Sequence, residues 1–129
     1  MVCVDTSFLI ALERHEASAL EKMNELADRG ETIYTTAVNV AEFYRGAYGA
    51  RDREKALRDA RGLLGLFAVL SMDYESGRMW GELSESMKLS SIGDRDLFVA
   101  CIALVNRQPI VTRNRKHFES VPGLVVESW

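Results

Sequence analysis

The chain has 129 residues, of which 47% are hydrophobic and 27% are charged. This length and composition exclude a disordered or low-complexity protein, and they predict a single domain over residues 1–129 that can bury a sizeable core. A net charge of −3 at pH 7 excludes a protein that holds nucleic acid by bulk electrostatic attraction alone. Any contact with nucleic acid must therefore be local.

The apolar runs of the chain do not predict a membrane protein. The first 15 residues contain no basic leader, and Asp5 interrupts their apolar stretch, which excludes a signal peptide and a membrane span. The longest apolar run, 97–105, is too short to cross a bilayer. Cys3 and Cys101 lie in apolar runs and are expected to be small buried residues rather than a disulfide or a metal site. These features favour a cytoplasmic protein without a membrane partner.

Short β-type runs alternate with helical patterns along the chain. Strands are predicted at residues 2–4, 32–34, 68–71 and 110–112, and residues 124–126 are a candidate fifth strand. Strands that alternate with helices indicate an α/β domain, in which helices flank a central, mostly parallel sheet of four to five strands.

Helices are predicted where apolar residues recur at intervals of three and four. Residues 16–29 form one helix, and Gly30 supplies its C-terminal stop. Two helices lie between the second and third strands, and the buried stripe of the first ends at Tyr48. Asp73 can cap a further helix, on which Trp80 is expected to belong to the core rather than to stack on bases.

The last long helix is apolar on nearly every side between residues 97 and 105, which predicts that it is the central buried helix. Asp94 is expected to be its N-cap. Asp96 falls in its first turn, where the positive end of the helix dipole favours a carboxylate.

Two further acidic residues stand at positions comparable to that of Asp96. Asp5 directly follows the first strand, and ligands of open parallel sheets bind outside the carboxyl ends of the strands. Thr112 follows the fourth strand in the same way. Glu42 lies at the flank of an apolar helical stripe, so a surface glutamate is an open alternative for this residue.

If Asp5, Glu42 and Asp96 converge, each close pair repels by about 4 kcal/mol at an effective dielectric constant near 20. A divalent cation would reverse the sign of that interaction. Ligands that are all oxygen suit Mg²⁺ or Mn²⁺ better than zinc, and such a centre can activate water for attack on a phosphodiester. His15 and His117 are too isolated in sequence to predict general-base catalysis.

Positive charge is concentrated near the end of the sequence, at Arg113, Arg115 and Lys116. This cluster is a weak candidate for contact with RNA phosphates. A solvated loop is the alternative interpretation of the same residues.

Four local sequences add a resemblance that covers the whole chain in order: VDTSFLIAL, TAVNVAEFYRG, IGDRDLFVACIAL and IVTRNRKHFESVPGLVVESW. Together they resemble the PIN-domain family, specifically toxins of the VapC type. The resemblance implies a PIN-like three-layer fold and a Mg²⁺-dependent endoribonuclease that is the toxin of a type II toxin-antitoxin system. It also implies a homodimer and a cognate antitoxin. Phe8 and Leu12 are candidate contact points, and a place in the core is the open alternative for both.

Carried over residue by residue, the resemblance implies that Asp5, Glu42 and Asp96 hold the metal and carry the catalysis. Asn114 occupies the fourth position, which is often Asp in the family, so a one-metal site or weaker binding is implied, with Asp94 as a substitute ligand. Three hydroxyl residues are expected to support the acids: Thr6, Ser7 and Thr112. Helix capping explains Thr6 and Ser7 as well.

Two alternatives remain open on the sequence alone. A phosphoacceptor signalling domain would use Asp73 as acceptor, but such domains need an acidic pair after the first strand and a lysine after the last, where this chain has Thr6 and Glu127. A catalytically silent PIN-like domain that only binds a partner is the other alternative, and Asn114 gives it some support.

Overall fold

Five short parallel strands form one sheet in the computed structural model, which describes residues 1–88 and 90–129. The strands are β1 (Val2–Val4), β2 (Ile33–Thr36), β3 (Ala68–Leu70), β4 (Ile110–Val111) and β5 (Val126–Glu127), in the spatial order β3-β2-β1-β4-β5. Every neighbouring pair is parallel. The predicted α/β fold, including the fifth strand, is confirmed.

Seven helices connect these strands within the described residues. They are α1 (Thr6–Glu13), α2 (Ala17–Asp28), α3 (Ala37–Tyr48), α4 (Arg53–Leu64), α5 (Tyr74–Ser86), α6 (Asp94–Val105) and α7 (Arg115–Glu119). The two predicted helices between the second and third strands are α3 and α4. The stop after α2 is also confirmed, because Gly30 has a φ of +71°, which glycine adopts without steric cost.

The predicted N-cap of α6 is wrong by one residue. Gly93 is the N-cap, and its carbonyl accepts the main-chain N–H of Leu97, so the helix already includes Asp94. The helix therefore winds one residue earlier than a capping Asp94 would allow. As a consequence, Asp94 and Asp96 both lie in the first turn, near the free N–H groups of the helix end.

Helices cover both faces of the sheet and give the expected three layers. One apolar cluster joins β1 to α1, α2, α3 and α4, and the other surrounds α6 with contributions from α5 and α7. Side chains of β1 alternate between the two faces, as the period of a strand requires. No helix of the described part is long and apolar enough to cross a membrane.

Residues 99–103 of α6 have no exposed surface, which confirms α6 as the central buried helix. Cys3 and Cys101 are buried free thiols, as expected. Burial raises the pKa of Cys3 to about 12 and that of Cys101 to about 11, so both remain protonated thiols.

The structure decides whether three residues belong to the core. Phe8 and Leu12, candidate contact points for a partner, are fully or almost fully buried because α1 packs its apolar face on the sheet. Tyr48 is 57% exposed, since it ends α3 where the buried stripe has turned away from the core. Trp80 is half-buried and stacks on Phe98 with 4.7 Å between ring centroids, in agreement with the predicted packing role.

Candidate metal centre

The candidate site lies at the carboxyl ends of β1 and β4. Strands β2 and β3 lie on one side of β1, and β4 pairs with β1 on the other side. This change of direction leaves a crevice between the two strand ends, where ligands bind in open α/β sheets. Asp5 leaves β1 into this crevice, and Thr112 leaves β4 beside it.

The Asp5 carboxylate is only 4% exposed and is held by three donors. Its Oδ1 accepts the Ser7 hydroxyl at 2.6 Å and the main-chain N–H of Phe8 at 3.2 Å, which makes Asp5 the N-cap of α1. Its Oδ2 accepts the Thr112 hydroxyl at 2.5 Å. Ser7 and Thr112 are thus both hydrogen-bonded to the carboxylate of Asp5.

Burial raises the pKa of Asp5, and the hydrogen bonds from Ser7 and Thr112 only partly reverse this effect. The neighbouring charge of Asp96 raises the pKa further, so the net pKa lies above the ordinary aspartate value. The two carboxylates are therefore close enough for the charge of Asp96 to disfavour ionisation of Asp5. A buried carboxylate beside a second one is costly unless a cation or a proton compensates it.

Asp96 approaches the crevice from the first turn of α6, with its side chain 31% exposed. Its Oδ2 lies 3.1 Å from the Nδ1 atom of His117 in α7. His117 is isolated from the acidic residues in sequence but not in space, because the fold brings α6 and α7 together around the buried ring of Phe118.

Glu42 is partly buried, with a side chain that is 24% exposed. The Thr6 hydroxyl donates to its Oε1 at 3.1 Å, and a guanidinium nitrogen of Arg95 lies 3.6 Å from its Oε2. The contact with Thr6 ties Glu42 to the residue that directly follows Asp5.

A buried hydrogen-bond chain, which was not predicted from the sequence, fixes Thr6 in turn. The Thr36 hydroxyl donates to Oδ1 of Asn39 at 2.7 Å, and Nδ2 of Asn39 donates to the Thr6 hydroxyl oxygen at 3.0 Å. Thr36 and Asn39 also form the capping box of α3. Two signals could have revealed this chain: the capping spacing of Thr36 and Asn39, and the three-residue spacing that places Asn39 and Glu42 on one helical face.

The loop after β4 is fastened to α1 by main-chain donors. The N–H of Asn114 donates to the Thr112 hydroxyl oxygen at 2.9 Å, and the N–H of Arg113 donates to the Ser7 hydroxyl oxygen at 3.2 Å. The Asn114 side chain is exposed and makes no hydrogen bond among the described residues. Asp94 is also exposed, and its main-chain carbonyl accepts the indole N–H of Trp80 at 3.3 Å.

Two of the basic residues proposed to contact RNA are paired with acids of the same chain. Arg113 forms an ion pair with Glu16 and lies over the ring of Trp129, with 4.8 Å to the centroid. Arg115 pairs with Glu119 one helical turn away. Lys116 is exposed. The rim of the crevice is therefore a solvated surface with much of its charge neutralised locally.

Asp73 does not share the crevice. It follows the edge strand β3, two strands away from β1, and its carboxylate accepts the main-chain N–H of Ser76 at 2.9 Å as the N-cap of α5. The hydrogen bonds from Ser76 hold the pKa of Asp73 below its ordinary value. A helix cap accounts for this residue, as predicted.

The described residues contain no group of three or more Asp, Glu, His or Cys side chains already arranged to hold a metal ion. The chemistry of the donors nevertheless fits a hard divalent cation, because Asp5 and Asp96 offer carboxylate oxygens whose mutual repulsion a cation would relieve. Glu42 accepts a hydrogen bond from Thr6, the residue that follows Asp5.

A family model described as PIN domain matches residues 2–124. The chain therefore belongs to the PIN-domain family. Its curated relatives include Ribonuclease VapC2 of Rickettsia felis, 25% identical over 129 residues, with 98% of this chain and 96% of the relative covered. They also include Plasmid stability protein StbB of Pseudomonas syringae pv. tomato, 30% identical, with 100% of this chain and 99% of the relative covered.

Solved structures confirm the fold. The crystal structure of VapBC2 from Rickettsia felis bound to a DNA fragment from their promoter contains a chain that superimposes with a TM-score of 0.91 at 23% identity, with 100% of this chain and 99% of that chain covered. The FitAcB structure from Neisseria gonorrhoeae gives a TM-score of 0.81 at 20% identity, with 98% and 97% covered. At these identities the likeness concerns the architecture alone.

Proposed function

We propose that this chain is a Mg²⁺-dependent endoribonuclease and the toxin of a type II toxin-antitoxin pair, active in the cytoplasm. The observation that carries the proposal is the buried Asp5 carboxylate, fixed by hydroxyl donors at the crevice of the sheet and facing Asp96. Membership of the PIN-domain family and relatives named as VapC ribonucleases over nearly the whole chain support RNA as the substrate.

Asp5 and Asp96 are the principal metal ligands in this proposal. If bound by these residues, Mg²⁺ would lower the pKa of a water and would offset the negative charge of the phosphodiester. Thr112 and Ser7 hold the Asp5 carboxylate in a fixed orientation, so that little reorganisation is needed on binding. Glu42, fixed by Thr6, orients the attacking water or adds a ligand. Asn114 lacks the charge for a second metal, which favours one ion.

The partners in this proposal are a cognate antitoxin and a second copy of the chain. Solved structures with the same fold include VapBC from Rickettsia felis and from Salmonella typhimurium, which supports an antitoxin partner. The homodimer rests on the family resemblance alone. We expect light scattering to give the mass of two chains, and the mass of one chain at all concentrations would contradict the dimer.

Substitution of the two aspartates tests the proposed reaction. Asp5→Asn and Asp96→Asn are each expected to lower cleavage of a fluorescent single-stranded RNA in Mg²⁺ by at least about 100-fold, because each removes a charged ligand. Asp73→Asn is the matched control, since asparagine also caps helices and Asp73 lies outside the crevice. The measurement is the initial rate in Mg²⁺ and in EDTA, with protein purified in parallel from each variant.

Full activity in the Asp5 or Asp96 variant, or cleavage that persists in EDTA, would contradict the metal-dependent reaction. The silent-domain alternative makes a different prediction: the wild-type chain would bind RNA without cleaving it at any Mg²⁺ or Mn²⁺ concentration. A titration of both ions against a generic RNA separates the two functions.

A further inference from the structure

His117 is the one chemically versatile side chain at the crevice, within the described residues, to which the proposed reaction assigns no role. It lies 21 residues from Asp96 in sequence, yet its Nδ1 atom is 3.1 Å from Oδ2 of Asp96. His15, the other histidine, is exposed in a turn at the end of α1 and takes no part in this contact.

The chemistry of the two groups fixes the direction of this hydrogen bond. An ionised carboxylate only accepts hydrogen bonds, so Nδ1 of His117 carries a proton and donates a hydrogen bond to Asp96. Oδ2 of Asp96 is thereby engaged, while Oδ1 has no hydrogen-bond donor among the described residues. The imidazole thus sets the rotation of the carboxyl group and leaves one oxygen available.

The position of the imidazole is determined by buried structure. His117 precedes Phe118, whose ring is fully buried in the cluster around α6. The main-chain N–H of His117 donates to the carbonyl of Asn114 at 3.0 Å, which fixes the first turn of α7. The half-exposed ring is therefore placed on Asp96 by the packing of α7 rather than by a flexible surface contact.

The arginines of the rim do not compete for Asp96. Arg95, the residue beside Asp96, reaches Glu42, and Arg113 reaches Glu16. Arg115 is paired with Glu119 on its own helix. Among the described side chains, His117 is the partner that the structure gives to the Asp96 carboxylate.

We infer that His117 is a positioning residue, which orients the Asp96 carboxylate for the divalent cation by donating a hydrogen bond from Nδ1. This inference rests on the proposed function and adds a residue outside the ligand set that the family resemblance implies. Partners that orient a metal ligand typically change metal affinity by 10- to 100-fold when they are removed.

Metal binding without RNA tests this role in the full chain. Mn²⁺ titrations by calorimetry would compare wild type with His117→Ala, His117→Gln and His117→Asn. The amide nitrogen of asparagine lies as many bonds from the backbone as Nδ1, whereas that of glutamine corresponds to Nε2. We therefore expect Ala and Gln to weaken Mn²⁺ binding by about tenfold, and Asn to retain an affinity within about twofold of wild type.

His15→Asn is the matched control, because it makes the same substitution at an exposed position with φ of +56°, which asparagine tolerates. The inference would be overturned if all three His117 variants bound Mn²⁺ as tightly as wild type. It would also be overturned if His117→Asn bound Mn²⁺ as weakly as His117→Ala. Loss of binding in Asp5→Asn with unchanged His117 variants would overturn it while the proposed function stands. A wild-type chain that binds no Mn²⁺ would overturn both.

Discussion

At the scale of single residues, Asp5 combines structural and chemical roles that usually belong to different side chains. It caps α1 through the N–H of Phe8, and it links β1 to β4 through the Thr112 hydroxyl. It is also buried beside Asp96, which raises its pKa. Such a site lowers the stability of the free protein, and it is the arrangement expected where a cation binds.

Asp5→Asn is expected to stabilise the metal-free protein near neutral pH by about 1 kcal/mol. Asparagine removes a buried charge and its repulsion by Asp96, and its Oδ1 atom can still accept the Phe8 N–H. The measurement is urea unfolding in EDTA, with Asp73→Asn as the surface control.

The pH dependence of this difference follows from the raised pKa of Asp5 in the folded state. Between the unfolded and the folded pKa, the native state binds more protons, so the wild type loses stability as the pH rises through that interval. Asp5→Asn lacks this loss. Its stability relative to wild type should therefore increase over the same pH interval and then stay constant. A constant difference from low to neutral pH would contradict the argument.

At the scale of secondary-structure elements, α1 and α3 are joined by a polar chain rather than by apolar contact alone. Asn39 is 1% exposed and connects the Thr36 hydroxyl at the end of β2 with Thr6 at the start of α1. The Thr6 hydroxyl in turn donates a hydrogen bond to Oε1 of Glu42. Each member is satisfied only while the others are present, as in other buried networks.

Asn39→Ala is expected to lower the free energy of unfolding by about 2 kcal/mol, because it removes the acceptor of the buried Thr36 hydroxyl, the amide donor to Thr6 and part of the α3 cap. It should also reduce RNA cleavage, since Thr6 and Glu42 lose their fixed orientation. Asn24→Ala, an exposed position in α2, is the matched control and should change stability by less than about 0.5 kcal/mol. Urea unfolding of both variants gives the comparison, and equal stabilities would contradict a structural role for Asn39.

A second polar link joins α2 to β5. Lys22, which is 7% exposed, donates to Glu127 at 2.6 Å, and Arg29 lies 3.0 Å from the same carboxylate. Burial would raise the pKa of Glu127, but the hydrogen bonds from Arg29 and Lys22 outweigh it, and the pKa falls below its ordinary value. The stability from this link is therefore present above the ordinary glutamate pKa and is lost as the pH falls.

Glu127→Gln is expected to cost about 2 kcal/mol of stability, because it removes a charged hydrogen-bond partner from a buried ammonium group. Lys22→Met should cost less, since it removes the buried charge itself. Chemical unfolding near neutral pH measures both. Asp59→Asn, which breaks the exposed pair with Lys55, should change stability by less than about 1 kcal/mol. If Glu127→Gln changed the free energy of unfolding no more than Asp59→Asn does, the link to β5 would be energetically unimportant.

At the scale of the whole molecule, the strand order creates the site. Because β4 pairs with β1 on the side opposite β2, residues 107 positions apart meet as Asp5 and Thr112. The helices α3 and α6 then bring Glu42 and Asp96 to the same edge. A ligand that binds there contacts elements from the whole chain, so its binding energy must stabilise the complete fold.

Mg²⁺ is therefore expected to raise the melting temperature of the wild-type protein. At a concentration of 100 times its Kd, a ligand that binds only the folded state adds about 2.7 kcal/mol. The rise should vanish in Asp96→Asn and persist in Asp73→Asn, while KCl of equal ionic strength should have no comparable effect. Equal shifts in all three proteins would contradict binding at the crevice.

The sequence by itself determined the features that depend on local patterns. Period and composition located the five strands, the paired helices α3 and α4, and the buried helix α6, because side-chain burial repeats with the geometry of each element. The same patterns placed Asp5 and Thr112 at strand ends. The local motifs around Asp5, Glu42 and Asp96 also indicated the family.

Only the tertiary structure decided which side chains meet. It buried Phe8 and Leu12, began α6 at Asp94, and brought His117 to Asp96 and Asn39 to Thr6. These outcomes depend on how helices pack across the two faces of the sheet, and periodicity within one segment contains no information about its partner. A histidine 21 residues from Asp96 appears isolated until α6 and α7 are packed together.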